Sequence, residues 1–241
     1  MAVWELRVSA RRRSLSVEVH PDLRVIVRAP RHLSRSVVED WVASRSCWIE
    51  HQLERFRLQG HRRPPPPAYA SGERHLFLGR SCVLEVLAAA RPAVTLDGET
   101  LRIAVRGEAG GATVRRALER WYRERAAEVF DEALRRHFGW FAARGHRPPI
   151  IRIRSMVSRW GSLSAPAARV GAAVAAPAPR RMSLNLALIR TPLECIEYVV
   201  VHELCHLEER GHGAGFYQLM DQRLPGWRAR RRQLEAARLL G

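Results

Sequence analysis

The chain has no lysine, and all 41 of its basic residues are arginines. A GC-rich coding bias accounts for the choice of arginine, but not for the surplus over acids. With only 24 aspartates and glutamates the formal net charge is +17 and the pI near 11.4. Cysteine is scarce too: the four at 47, 82, 195 and 205 form no C-x-x-C pair, which excludes a disulfide framework and points to reduced thiols in the cytoplasm. No apolar run approaches the length of a membrane span, and Glu5, Arg7 and Arg11-Arg12-Arg13 interrupt the N-terminus too early for a signal-peptide core. A cytoplasmic protein without a membrane partner is therefore expected. No glycine-rich phosphate loop is present. At 241 residues and 46% hydrophobic, the chain can bury a substantial core.

What is present centres on Val199-Val-Val-His202-Glu203-Leu-Cys-His206, a His-Glu-x-x-His motif. Residues four apart share a helix face, so His202 and His206 can offer two imidazoles to one ion. Glu203 lies beside the first of them. Neutral imidazoles bind Zn²⁺, which lowers the pKa of a water in an open position to about 7, and a carboxylate that is not a ligand serves as general base. His212 is the candidate third ligand. On an unbroken helix it would lie roughly 9 Å beyond His206, so the chain must fold back, and Gly211 is expected to stop the helix. Upstream, Thr191-Pro192-Leu193-Glu194 reads as a helix start with Thr191 as N-cap and Glu194 completing a capping box. Ile196, Val200, Leu204 and Leu207 follow as an apolar stripe that half-buries the helix.

These residues, with Tyr198 before them and Gly211-His212-Gly-Ala-Gly-Phe216-Tyr217 after, resemble the YgjP-like metallopeptidase-domain family. So do Trp121-Tyr122, Ser158-Arg159-Trp160-Gly161-Ser162, Leu184-Asn185 and the closing Leu224-Pro225-Gly226-Trp227-x-x-Arg230-Arg231. The resemblance runs from about residue 11 to 241. It implies a zincin-type α+β fold, one zinc ion held by His202, His206 and His212, and kinship with SprT-like proteases. Two departures stand out. Leu163-Ser164 replaces the usual Cys-Ser, and an Ala- and Pro-rich insertion occupies 165–181. Glu209 stands where the metzincin pattern has glycine, so the chain is not assigned there.

Elsewhere the sequence alternates as strands at 15–19 and 23–27, with a His20-Pro21-Asp22 turn between them. A helix is expected from about 34 to 56, then an extended polyproline spacer at 60–67. Strands resume at 76–78 and 82–87, and Asp97-Gly98 marks a hairpin within 94–103. A long helix is expected over 112–144 and a strand over 150–157, placed by zincin analogy along the cleft above the motif helix. Gly110-Gly111 suggests a boundary, giving a β-rich half at 1–109 and a catalytic half at 110–241. Two helices close the chain. The last carries Arg228, Arg230, Arg231, Arg232 and Arg238, the densest basic segment, and is expected to cover the motif helix with Leu234 and Leu239.

Function therefore reads as a zinc-dependent hydrolase, a peptidase acting on protein or peptide, with Glu203 as general base. Arg159, Trp160, Asn185, Tyr198 and Tyr217 are candidates for substrate or oxyanion contacts. Cys205 reads as a small core residue. Two competing readings remain open: a phosphoanhydride hydrolase acting on a nucleoside triphosphate at the same site, and a DNA-associated protease or zinc-stabilised nucleic-acid-binding module. The arginine surplus admits weak nucleic-acid or nucleotide binding; only catalysis gives Glu203 a purpose.

Overall fold

Apolar alternation builds three small sheets, and one long helix collects two of them. The computed structural model describes residues 3–10, 12–20, 22–58, 67–107, 110–156, 159–164 and 179–237. The polyproline stretch at 60–66, most of the insertion at 165–181, and Arg238 and Leu239 lie outside these residues. The architecture is α+β, in two compact units, Met1–Pro66 and Pro67–Gly241. The division thus falls at the proline run rather than at 109–110. The reason is that the strands of 74–105 share one core with the long helix that follows them.

In the first unit, β1 (Trp4–Ser9) pairs parallel with β3 (Val25–Pro30), and β2 (Ser16–Val19) pairs antiparallel with β3. Val25, Val27 and Ala29 pack with Val38, Val42, Ile49 and Leu53. The helix expected over 34–56 is two, α1 (Arg35–Ala43) and α2 (Ser46–Leu58). At the break the Ser44 hydroxyl donates to the Trp41 carbonyl at 2.8 Å, a local bond that competes with helix continuation.

The second unit has a four-stranded sheet in the order β4 (Arg74–Phe77), β5 (Arg80–Ala88), β7 (Thr100–Val105), β6 (Ala93–Asp97). The hairpin at Asp97-Gly98 is as expected, with Asp97 paired to Thr100. The β4–β5 turn is tighter: Leu78 and Gly79 both have positive φ, 47° and 78°, as a two-residue primed turn demands. Its amides bind the Ile189 and Arg190 carbonyls at 2.9 and 3.2 Å, so the hairpin supports the entry to the motif helix. Helix α3 (Gly111–Ala142, 32 residues) buries Val114, Leu118, Tyr122, Phe130 and Phe141 in the shared core.

A second sheet runs β8 (Ile150–Arg154), β10 (Arg181–Asn185), β9 (Gly161–Ser164), with β10 parallel to β8 and antiparallel to β9. This corrects the placement of the 150–157 strand. β8 is the edge far from β9 and packs on α3, and it is β9 that lies on the motif helix. A short 3-10 helix (Leu186–Arg190) then leads into α4 (Leu193–Cys205), followed by α5 (Ala214–Arg223) and α6 (Trp227–Ala237). Two details of the helix start differ from expectation. Pro192, not Thr191, is the N-cap, while the Thr191 hydroxyl donates back to Leu188 O at 2.8 Å and closes the 3-10 turn. α4 is also buried nearly all round, because α3, α5, α6 and β9 surround it. Leu234 of α6 is buried in the same core.

Candidate active site

The last turn of α4 carries His202 and Glu203, and His206 is its C-cap. The chain turns here rather than at Gly211, whose φ is not left-handed. Instead the amides of Leu207, Glu208 and Glu209 bond back to Leu204 and Cys205 carbonyls, and Arg180 Nη1 donates to His206 O at 2.9 Å. Those bonds satisfy the terminal carbonyls that a left-handed glycine would otherwise help to close. Glu208 meets His146 Nε2 at 2.8 Å, which ties the turn to the end of α3. The carboxylate of Glu209 lies against Gly215, where a Cβ would stand 2.8 Å from its Oε1.

His212 then enters just before α5. The ligand-capable atoms of His202, His206 and His212 all lie within 4.8 Å of one another, and His202 Nε2 and His212 Nε2 are 3.1 Å apart. His206 Nδ1 is 2.8 Å from Glu209 O. A carbonyl only accepts, so Nδ1 carries the proton and Nε2 keeps its lone pair, the arrangement that orients a metal-binding imidazole. Burial, reinforced by His206, His212 and Arg231, lowers His202 to about 3. Burial likewise lowers His212, aided by His206 and Arg231. Neutral donors in this number and closeness suit a borderline metal such as Zn²⁺.

Beneath the cluster lies Phe216, fully buried, its ring centroid 4.9, 4.8 and 4.7 Å from those of His202, His206 and His212. In the sequence it stands as motif context only, and its one signal there is its place four residues past His212. Glu203 is itself buried beneath β9, and burial raises its carboxyl to about 7 against weaker downward pulls from the Leu163 backbone N–H and Arg159. Cys205 is a core thiol raised to about 12 by burial, and so inert.

The other candidates divide. Asn185 is not free to meet a substrate: Nδ2 donates to Met156 O and Arg159 O at 2.8 and 3.1 Å, and Oδ1 accepts from Ala187 N at 3.1 Å. It caps the 3-10 helix and holds the loop before β9. Trp160 is half-buried against the core, and its carbonyl accepts the Asn185 amide at 2.8 Å. Arg159 is exposed, its charge felt by Glu203. Tyr198 is buried, edge-on to His202 at 5.9 Å and stacked on Trp227 at 6.1 Å. Tyr217, more open, stacks on Trp227 at 5.8 Å. Tyr198 thus borders the cluster directly, whereas Tyr217 borders Phe216 beneath it. The arginines of α6 are largely spent: Arg228 pairs with Asp221, Arg230 with Glu197 and Arg231 with Glu235.

Compared with known proteins, the chain matches a family model described as YgjP-like, metallopeptidase domain, over residues 13–237. No curated protein and no solved structure gives a match.

Proposed function

The chain belongs to the YgjP-like metallopeptidase-domain family, and from that premise we propose that it is a zinc-dependent peptidase in which His202, His206 and His212 hold the metal and Glu203 is the general base. The observation that carries this reading is the convergence of three imidazoles beside a buried carboxylate that is not one of them. Among the described residues no fourth donor joins the three. Three protein ligands leave a coordination position open, whereas structural zinc sites close with four. When bound, zinc supplies a Lewis acid for a carbonyl oxygen and an acidified water.

The chain's own residues do the rest. Phe216 and the Glu209 carbonyl fix the imidazole planes. Hydrolysis adds hydroxyl to the substrate carbonyl carbon and breaks its C–N bond. Glu203 takes the water's proton on a carboxylate oxygen and returns it to the leaving nitrogen. Tyr217, edge-on to the Phe216 that underlies the histidines and partly exposed, is the more accessible of the two tyrosines to a developing oxyanion. We place the protein in the cytoplasm, since all four cysteines are free. Among the described residues no helix is long and apolar enough to cross a membrane.

The test is elemental analysis together with hydrolysis of fluorescent casein, a DNA-bound protein and a nucleoside triphosphate, with and without chelator. One zinc per chain and chelator-sensitive cleavage of a protein are expected. Glu203→Gln should keep the zinc and lose activity by roughly 10²–10⁴-fold. Triphosphate hydrolysis without proteolysis, or full activity in the Gln variant, would sink the reading.

A further inference from the structure

β9 approaches α4 more closely than any side chain on Gly161 would allow. A Cβ built at Gly161 would stand 2.6 Å from Glu203 Oε1, 3.0 Å from Glu203 Cγ and 2.9 Å from Val199 Cγ1. Carbon contacts are comfortable only at about 3.5–4.0 Å. Gly161 does not occupy the left-handed region, so backbone freedom does not explain the glycine. Space does. The closest atom met is the carboxylate oxygen of Glu203 itself. Register adds to this: Gly161 and Leu163 pair with Leu184 and Met182, two residues apart on the same strand, and the Leu163 N–H also acts on that carboxylate.

We propose that Gly161 is a positioning residue for Glu203, its missing side chain forming the slot that receives the carboxylate. The proposal rests on Glu203 being the base. It separates two jobs within one strand. Asn185 anchors the backbone leading into β9 through Met156 O, Arg159 O and its own amide to Trp160 O. Gly161 then leaves room for the base beneath it. Val199, buried and β-branched, can give way only slightly, so the larger part of the movement that a methyl group forces falls on the far end of the flexible glutamate. Moving β9 or α4 would cost more, since both are fixed by their neighbours. The base is therefore displaced while the fold and the histidines stay. Displacing a reacting group by about 1 Å can cost roughly 10²-fold in rate.

The test uses the zinc-loaded full chain as Gly161→Ala, Glu203→Asp and the double variant, with fluorescent casein as probe. Gly161→Ala should keep one zinc and a near-parental KM while kcat falls roughly 10²-fold. Aspartate withdraws the carboxylate by one methylene. In that background alanine at 161 should cost little more. Thermal unfolding of the zinc-free proteins provides a readout independent of catalysis. Gly161→Ala should lower the melting temperature by several degrees beside Glu203 or Glu203→Gln, and by clearly less beside Glu203→Asp, where only the contact with Val199 Cγ1 remains. Parental turnover in Gly161→Ala, loss of its zinc, or additive melting shifts across the cycle would each overturn the proposal. A parent that cleaves no casein would count against the peptidase reading instead, and the unfolding cycle would then judge Gly161 alone.

Discussion

Glu197 sits in the middle of α4, and replacing it with glutamine should loosen the helix that carries the motif. Its Oε1 accepts from Arg136 Nη1 of α3 at 2.8 Å and its Oε2 from Arg230 Nη1 of α6 at 3.1 Å. The Glu197 side chain is 11% exposed, that of Arg230 27% and that of Arg136 51%. The Arg136 pair is half in water, and Arg136 also lies 3.6 Å from Glu132, so this pair is worth under about 1 kcal/mol. The Arg230 pair is mostly dry, and a hydrogen bond to a charged group there contributes about 1.5–3 kcal/mol. Glutamine retains one carbonyl acceptor but presents an amide to the other arginine. The net loss is therefore about 2 kcal/mol, which for a chain of this size lowers the melting temperature by about 4–8 °C. Urea unfolding of the zinc-free protein measures it, read on the transition of the second unit because the chain has two. Combining Glu197→Gln with Arg230→Gln should show coupling of about 1 kcal/mol or more. A loss below about 0.5 kcal/mol, or fully additive single effects, would refute the assignment of Glu197 as the tie between α3, α4 and α6.

His212→Ala should cut zinc affinity by more than about 10-fold (the loss of a ligand) while leaving the zinc-free melting temperature nearly unchanged, because His212 is exposed; competition with a chromogenic chelator checks the first half and thermal unfolding of the zinc-free variant the second. Weak, sequence-tolerant DNA binding is also expected, falling steeply with salt. The side chains of Arg152, Arg154 and Arg181, exposed on β8 and β10, form no ion pair or hydrogen bond among the described residues, so replacing Arg152 and Arg154 by glutamine should reduce the salt slope by roughly 2. No binding at low salt would return these arginines to a solvated surface.

The helix and the shared face of His202 and His206 are legible because they depend on local order, helical spacing and apolar runs, whereas the approach of His212 is not local. What stayed hidden depends on long-range pairing. The four residues of β9 are too few to show alternation, so the sequence favours the longer 150–157 run as the strand beside the motif helix, although the order β8-β10-β9 seats it on the far edge. Thr191-Pro192-Leu193-Glu194 has the letters of a capping box, but a preceding 3-10 turn takes the threonine hydroxyl. Nothing in the sequence sets Glu197 apart, and only the arrival of α3 and α6 on either side makes it a buried hub. Gly161 could be read as part of a motif, yet its reason, the carboxylate lying beneath it, belongs to tertiary structure.

The fold-back that brings in His212 shows how the three imidazoles are gathered. A glycine stop at position 211 would have made the approach of His212 a local property of the loop. The helix instead ends at Cys205, and the return path is held at separate points: Arg180 on His206 O, His146 on Glu208, and Glu209 packed against Gly215. Those contacts come from β10's approach, from the end of α3 and from the start of α5. Phe216, buried in the core shared by α4 and α5, then touches all three imidazoles at nearly equal distance. Truncating one histidine removes one donor, whereas disturbing Phe216 would shift three. The convergence of the three imidazoles is thus a property of the packed α4–α5 corner, and His-Glu-x-x-His supplies only the part of it that one helix can encode.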